Sequence, residues 1–464
     1  MKIYGHRLPD DFLIGTANSA FQSEGAADRD GKSESVMEHF AKEYAGKPQP
    51  HQDPKRYLYG PPTFSDELGD DGCFFYDHYE EYIEDMKKTG QNTYRMSIAW
   101  PRIIPDGVGE VNPKGIEFYN KVINKLLECG IEPFVDILHW DLPQCLFERG
   151  GYEAEEFPEW YENYAKVCFE NFGDRVKYWS TFNESQVAAG TGYVHGGFPP
   201  FIKDNKRGLL ASHHIILAHF RAVRLYKSMN LKGKIGCVNC ITGVTPLERN
   251  EADMGAVERQ IERYFGLFTE PMLKGTYPRV LLRECPKIAD NMPEHFQEDL
   301  DKWFMPMDFI GVNYYITRAA GYNPDTITKA TVIDSFYAAP GQMWASYPAG
   351  LLDIVQYIAD EFPGVDIFIT ENGCSTDNHY SEEDIHDPER IDYIREHLRM
   401  VSRAIRAGYP VKGYYYWNDA DSYEEMWGYK FLFGLTWVDR KTGKRVWKDS
   451  RHYFSEVCKT RIVG

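Results

Sequence analysis

Eight strand-length apolar runs punctuate the chain, and amphipathic segments fill the intervals between them. The runs are "FLIGTANSA" at 12–20, "NTYRMSIAW" at 92–100, "EPFVDILHW" at 132–140, "VKYWSTFNE" at 176–184, "KIGCVNC" at 234–240, "DFIGVNYY" at 308–315, "DIFITENG" at 366–373 and "GYYYWND" at 413–419. Helical spacing of apolar residues marks the intervals, among them 115–130, 157–174, 209–230, 257–268, 350–364 and 390–410. Strands that are apolar on both faces and are each followed by a helix predict parallel strands covered by helices. Eight such units close into an α/β fold of the (β/α)8 TIM barrel type. A doubly wound open sheet would carry a glycine-rich phosphate turn after its first strand, and this chain has none. With no Ser/Gly-rich linker or shift in charge pattern, residues 1–464 read as one domain. The stretches 46–64 and 318–347 read as long loops, which in such a barrel decorate the mouth.

Composition limits the partners. A net charge of −18, from 52 basic and 70 acidic residues, opposes a nucleic-acid backbone or an anionic bilayer. The longest apolar runs fall well short of the roughly 20 residues needed to cross a membrane. The first 25 residues lack a signal-peptide core, and nine cysteines without dense spacing suit reduced thiols, so a cytoplasmic location is expected. No metal or cofactor is expected. His213, His214 and His219 share a helix but lack a completing ligand, and Cys237 and Cys240 fall on opposite faces of a strand as core thiols. The acidic stretch 65–72 lacks the alternating ligands of a calcium loop and reads as solvated surface.

Polar residues gather where the predicted strands end. Gln22 follows the first, Arg95 lies within the second, and His139 and Trp140 follow the third. Asn183 and Glu184 close the fourth, Asn313 and Tyr315 the sixth, Glu371 the seventh, and Trp417 and Glu424 the eighth. Strand ends converge on one mouth of such a barrel, so these residues read as a site. Amides, a histidine, carboxylates and indoles suit a sugar, with directional partners for hydroxyls and flat faces for C–H surfaces. Two opposed carboxylic acids can cleave a glycosidic bond when one stays protonated and the other ionised. Arg95 beside Glu371 would favour that anion, and the anion would keep Glu184 protonated.

"TFNE" and "ITENG", together with "FQSEG", "YRMSIAWPRI", "ILHWDLP", "GVNYY" and "EEMWGY", closely resemble glycoside hydrolase family 1, the β-glucosidase-like retaining enzymes, from about residue 8 to 455. The resemblance implies Glu184 as general acid and base and Glu371 as nucleophile, positioned by Arg95 and Tyr315. Asn183 would contact the sugar 2-hydroxyl, Gln22, His139 and Glu424 would bind glycone hydroxyls, Trp417 would floor the ring, and Trp344 would form the aglycone platform. The implied partner is a small-molecule β-glycoside or oligosaccharide, and a homo-oligomer is compatible with the sequence.

Comparison within that family narrows the expectation to an exo-acting enzyme on unphosphorylated sugars. Thioglucoside-cleaving relatives carry glutamine in place of the acid glutamate. Relatives acting on 6-phosphoglycosides carry Ser, Lys and Tyr where this chain has Glu424, Phe431 and Phe433. Receptor-like relatives lose a catalytic glutamate, and this chain keeps both. A 6-phospho-β-glycosidase and a non-catalytic sugar-binding barrel are the rival readings. One departure stands out: Glu425 occupies the position of a sugar-binding Trp, with Trp427 the next indole along. A carboxylate accepts where an indole donates, so galactose, fucose, an amino sugar or another modified glycone enters consideration beside glucose.

Overall fold

Eight parallel strands close on themselves in chain order: β1 (Leu13–Ala17), β2 (Thr93–Ser97), β3 (Glu132–Leu138), β4 (Tyr178–Asn183), β5 (Lys234–Cys240), β6 (Phe309–Asn313), β7 (Asp366–Asn372) and β8 (Val411–Trp417), which pairs back with β1. The computed structural model describes residues 6–51, 63–334, 342–376, 379–380 and 385–464. Seven strands lie within the runs predicted for them, and β8 begins two residues early. The principal helices are α1 (Phe75–Thr89), α2 (Pro113–Glu128), α3 (Phe157–Phe172), α4 (Asn205–Ser228), α5 (Glu251–Ile261), α6 (Pro348–Glu361), α7 (Pro388–Arg406) and α8 (Asp449–Thr460). Local sequence sets their ends. The Asn112 side chain caps α2 ahead of Pro113, and the Asp204 side chain accepts from the backbone of Lys206 and Arg207 to start α4.

Side chains from β3, β6, β7 and β8 plug the barrel. Phe134 meets Phe309, Phe368 and Tyr415 edge-on, with ring centroids 5.3, 5.8 and 5.4 Å away. Burying each ring contributes on the order of 1.5–3 kcal/mol. This apolar floor confines water and polar groups to the C-terminal end of the strands.

The two strands that deliver glutamates are irregular there. Along β4, Ser180 pairs with Gly236 of β5 but Asn183 pairs with Val238, so three steps on one strand match two on the other. Along β7, Ile369 pairs with Val312 of β6 and Glu371 pairs with Asn313, so two steps match one. An extra residue re-aims every side chain beyond it. Phe182 consequently packs outward on Tyr161 of α3, centroids 4.3 Å apart, while Asn183 joins the polar cluster inside. Gly373 permits the close approach that ends β7, because a Cβ there would lie 1.9 Å from the Trp417 carbonyl oxygen.

Two sequence expectations are corrected. The helix placed at 257–268 is α5, which begins earlier and ends at Ile261 in a wide turn over Glu262–Gly266. Its apolar face covers a separate three-stranded sheet, with Ala256 and Val257 against Ala320 and Ala330. The expected loop 318–347 supplies two strands of that sheet, Thr317–Tyr322 and Ala330–Asp334, paired antiparallel. β-branched and small residues there form a hairpin that shelters against α5. Of the expected loop 46–64, residues 52–62 lie outside the described residues, as do 335–341 of the second.

Arg390 of α7 is fully buried, pairs with Asp387 at 2.7 Å, and donates to the carbonyls of Cys374, Leu432 and Phe433 and to the Thr376 hydroxyl. It thereby ties the segments after β7 and β8 together. Arg390→Ala is expected to destabilise the protein by about 3–5 kcal/mol, the scale for breaking a buried ion pair. Urea denaturation checks this, and an unchanged midpoint would show that the two segments are held by other contacts.

Candidate active site

A cavity of about 460 Å³ opens at the C-terminal end of the barrel, and its wall includes His139, Glu184, Tyr315, Trp344, Glu371, Trp417, Glu424 and Glu425. At its base Arg95 of β2 is completely buried. One guanidinium nitrogen donates to Glu371 Oε1 at 2.6 Å and to the Thr370 carbonyl at 3.2 Å. The other meets Asp136 Oδ2 at 2.6 Å and Asn183 Oδ1 at 2.7 Å. The Tyr315 hydroxyl donates to Glu371 Oε2 at 2.7 Å. Both oxygens of Glu371 are therefore held.

Arginine fixes the neighbouring orientations as well. Since guanidinium can only donate, the Asn183 oxygen must face it, leaving the Asn183 nitrogen toward His139 Nε2 at 2.9 Å. That ring nitrogen must accept, which puts the imidazole proton on Nδ1, 4.0 Å from Asp136 Oδ2. Burial and then the Arg95 charge hold His139 far below its usual range, so it stays neutral. Its ring lies over the Trp417 indole, with centroids 5.8 Å apart and planes 23° from parallel.

Glu184 stands differently. Its backbone adopts a left-handed φ of 50°, which turns the chain from β4 into the wide helix Gln186–His195 while its amide donates to the Val238 carbonyl at 2.7 Å. The carboxyl receives two neutral hydrogen bonds, from Asn313 Nδ2 at 2.7 Å and from the Cys240 thiol. No cation pairs with it among the described residues. Burial, followed by the facing Glu371 charge, pushes Glu184 up to about 8. Burial raises Glu371 too, but Arg95, Tyr315 and Asn313 pull it back, so Glu371 is the first of the two to ionise. The arrangement thus provides one carboxylate and one carboxylic acid in the same cavity at neutral pH.

The remaining expected residues divide. Trp344 lines the cavity and packs against Tyr315 and Phe433, centroids 5.1 and 6.1 Å away. Gln22 is fully buried behind the wall, its side-chain nitrogen donating to the Tyr423 carbonyl at 2.9 Å and its oxygen accepting from Ser19. In this structure it steadies the segment that carries Glu424 and Glu425. Those two carboxyls line the cavity, are more than nine-tenths buried, and are hydrogen-bonded to one another. Burial raises both, Glu424 to about 8.

Sequence reading missed Asp136, whose buried carboxyl is pushed up to about 6 by burial against the pull of Arg95. A lone acid inside the apolar run "EPFVDIL" was the available signal. Cys240 also lines the cavity instead of the apolar core and is hydrogen-bonded to Glu184, with burial first and the nearby acids keeping its thiol protonated. His213, His214 and His219 diverge to Tyr277, the Tyr152 carbonyl and Thr181 respectively. Among the described residues, no cluster of metal-ligating side chains is present and no helix is long and apolar enough to cross a membrane.

The profile of glycosyl hydrolase family 1 matches residues 4–462. The chain belongs to that family. It is 36% identical over 456 residues to a protein named beta-glucosidase A from Thermotoga maritima, covering 98% of each chain. It is equally similar, 36% over 471 residues and 98% of each chain, to a Bacillus subtilis protein named 6-phospho-beta-glucosidase GmuD. A solved family 1 b-glucosidase from Thermotoga maritima superposes with a TM-score of 0.91 at 35% identity, covering 99% of this chain and 100% of that one. A beta-glucosidase from the same organism in complex with glucoimidazole gives 0.90. The chain is accordingly a family 1 retaining glycosidase with that family's TIM barrel.

Two measurements test the electrostatics. In Glu371→Gln the Glu184 pKa should fall from about 8 toward the ordinary carboxylate range, because the facing charge is gone. Isotope-edited infrared titration reads it, and an unmoved value would assign the shift to burial alone. Glu424 binds a proton in the native state that the unfolded chain releases. Its contribution to stability is full below its ordinary value of 4.5 and is lost as pH rises through about 8. The Tm of Glu424→Gln should therefore rise relative to wild type between about pH 5 and about pH 9.

Proposed function

We propose that the chain is a retaining exo-β-glycosidase for unphosphorylated sugars, with Glu371 as nucleophile and Glu184 as acid and then base. The observation that carries the assignment is the asymmetry of partners: a guanidinium and a hydroxyl clamp the oxygens of Glu371, whereas Glu184 has only neutral partners, the Asn313 amide and the Cys240 thiol. A carboxylate clamped by Arg95 is poised to attack an anomeric carbon, and a carboxylic acid in a dry wall is poised to protonate the leaving oxygen. The Glu371 Oε–C1 bond forms as the glycosidic C–O bond breaks, and the Glu184 proton goes to the departing alcohol. In the second half Glu184, now the anion, takes a proton from water as the water oxygen attacks C1 and frees Glu371. A second sugar in place of water gives transglycosylation.

Overall identity does not separate glucosidase from phosphoglucosidase, since named relatives of both kinds are equally similar. Side-chain chemistry favours the former. Glu424 and Glu425 make the buried wall acidic, Phe433 stands beside them, and no described Lys or Arg pairs with either acid. A phosphate dianion would meet repulsion there. The nine cysteines are all unpaired, which suits the reducing cytoplasm.

Glu371→Gly should lose hydrolysis of 4-nitrophenyl β-glucoside and regain turnover with azide, giving the inverted α-glycosyl azide. Glu184→Gln should lower kcat/KM for alkyl glycosides by about 10²–10⁴-fold, the usual worth of a general acid. Wild-type preference for the 6-phosphorylated substrate would reject the unphosphorylated assignment, and sugar binding without any turnover would reject the enzyme.

A further inference from the structure

Glu424 and Glu425 are adjacent acids in one corner of the cavity, bonded to each other and more than nine-tenths buried. Their segment is rigidly placed. The Glu424 amide donates to the Gly428 carbonyl at 2.8 Å, the Trp427 amide returns to the Glu424 carbonyl at 2.8 Å, and Gln22 holds the Tyr423 carbonyl from behind. Rings line the approach, with Phe64 against Trp427 at 5.7 Å and Phe433 against Tyr315 at 6.3 Å. The corner is thus preorganised and poor in water.

It has no cationic partner among the described residues. Arg95, the buried arginine at the base of the site, is divided between Glu371 and Asp136 and bonds to neither Glu424 nor Glu425. After burial, the neighbours that most disfavour ionisation of Glu425 are Glu424, Glu184 and Glu371, all acids. Two carboxyls in such a place keep their protons in the free protein, and any negative charge that forms there has no counterion. A ligand that brings a cation to that corner would neutralise it and could donate up to three hydrogen bonds from one atom. An indole at position 425 would instead present one donor and an apolar face.

We propose that Glu424 and Glu425 make the corner a recognition site for glycones bearing a protonated amine at C3, C4 or C6, the positions away from the scissile bond. This rests on the cavity being the site of glycoside cleavage. The recognition is specific to this pair: Glu425 is the determinant that an aromatic residue could not replace, and the neutral parent sugar is the poorer substrate.

The test compares 4-nitrophenyl β-D-glucopyranoside with its 3-amino-3-deoxy, 4-amino-4-deoxy and 6-amino-6-deoxy analogues at a pH where the amines are charged. At least one amine should exceed the parent tenfold or more in kcat/KM. In Glu425→Gln and in Glu425→Trp that ratio should fall tenfold or more. Calorimetry on the Glu184→Gln protein with the corresponding methyl glycosides reads recognition without turnover. A binding preference for an amine with no hydrolysis of any aryl glycoside would sink the cleavage reading and leave this recognition standing. Amines that bind and react no better than the parent, or an advantage that survives both substitutions at Glu425, overturn the proposal.

Discussion

Everything at the mouth of this barrel is organised around one guanidinium. Arg95 reaches Glu371, Asp136, Asn183 and the Thr370 carbonyl at once, and it is entirely withdrawn from water. Desolvating such a group is costly, and the cost is offset by the acceptors that surround its two terminal nitrogens. Four strands therefore have to end in register around it: β2 supplies the arginine, and β3, β4 and β7 supply the acceptors. The proton distribution follows from that packing. Where the cation is, a carboxylate is stabilised; where only the neutral Asn313 amide and Cys240 thiol are, a carboxylic acid remains.

The barrel itself was legible because its strands are buried on both faces, and that leaves an apolar signature that survives without a structure. Eight runs yielded eight strands; of the polar residues that end them, His139, Glu184, Tyr315, Glu371 and Glu424 line one cavity, while Arg95, Asn183 and Asn313 bond to one another and to those acids beneath it. Periodicity failed where it does not specify the partner. The segment at 257–268 has helical spacing, yet α5 serves a side sheet instead of the barrel wall, since an apolar face does not announce what will cover it. The hairpin within 318–347 was unreadable for a related reason: its pairing is with a distant strand, Gly243–Pro246. Asp136 and Cys240 were passed over because one acid or thiol inside an apolar run looks like packing until its neighbours across the barrel are known.

Two electrostatic regions share the cavity. Around Glu371 the negative charge is met by Arg95 and Tyr315, whereas Glu424 and Glu425 are buried without a described cation and hold on to their protons. The family's fold and the reacting pair can thus stay constant while the far corner changes the clientele, because the corner touches the reacting pair only through space. Gln22, expected to bind glycone hydroxyls, also braces the backbone beneath that corner through the Tyr423 carbonyl.

The extra residue in β4 carries a consequence for how such a protein can vary. In β4 the extra residue lets Thr181 and Phe182 both face the surrounding helices, toward His219 of α4 and Tyr161 of α3, before Asn183 turns inward. Substitution at 181 or 182 therefore alters the grip of the strand on two helices while leaving the inward direction of Asn183 to the pairing with Val238.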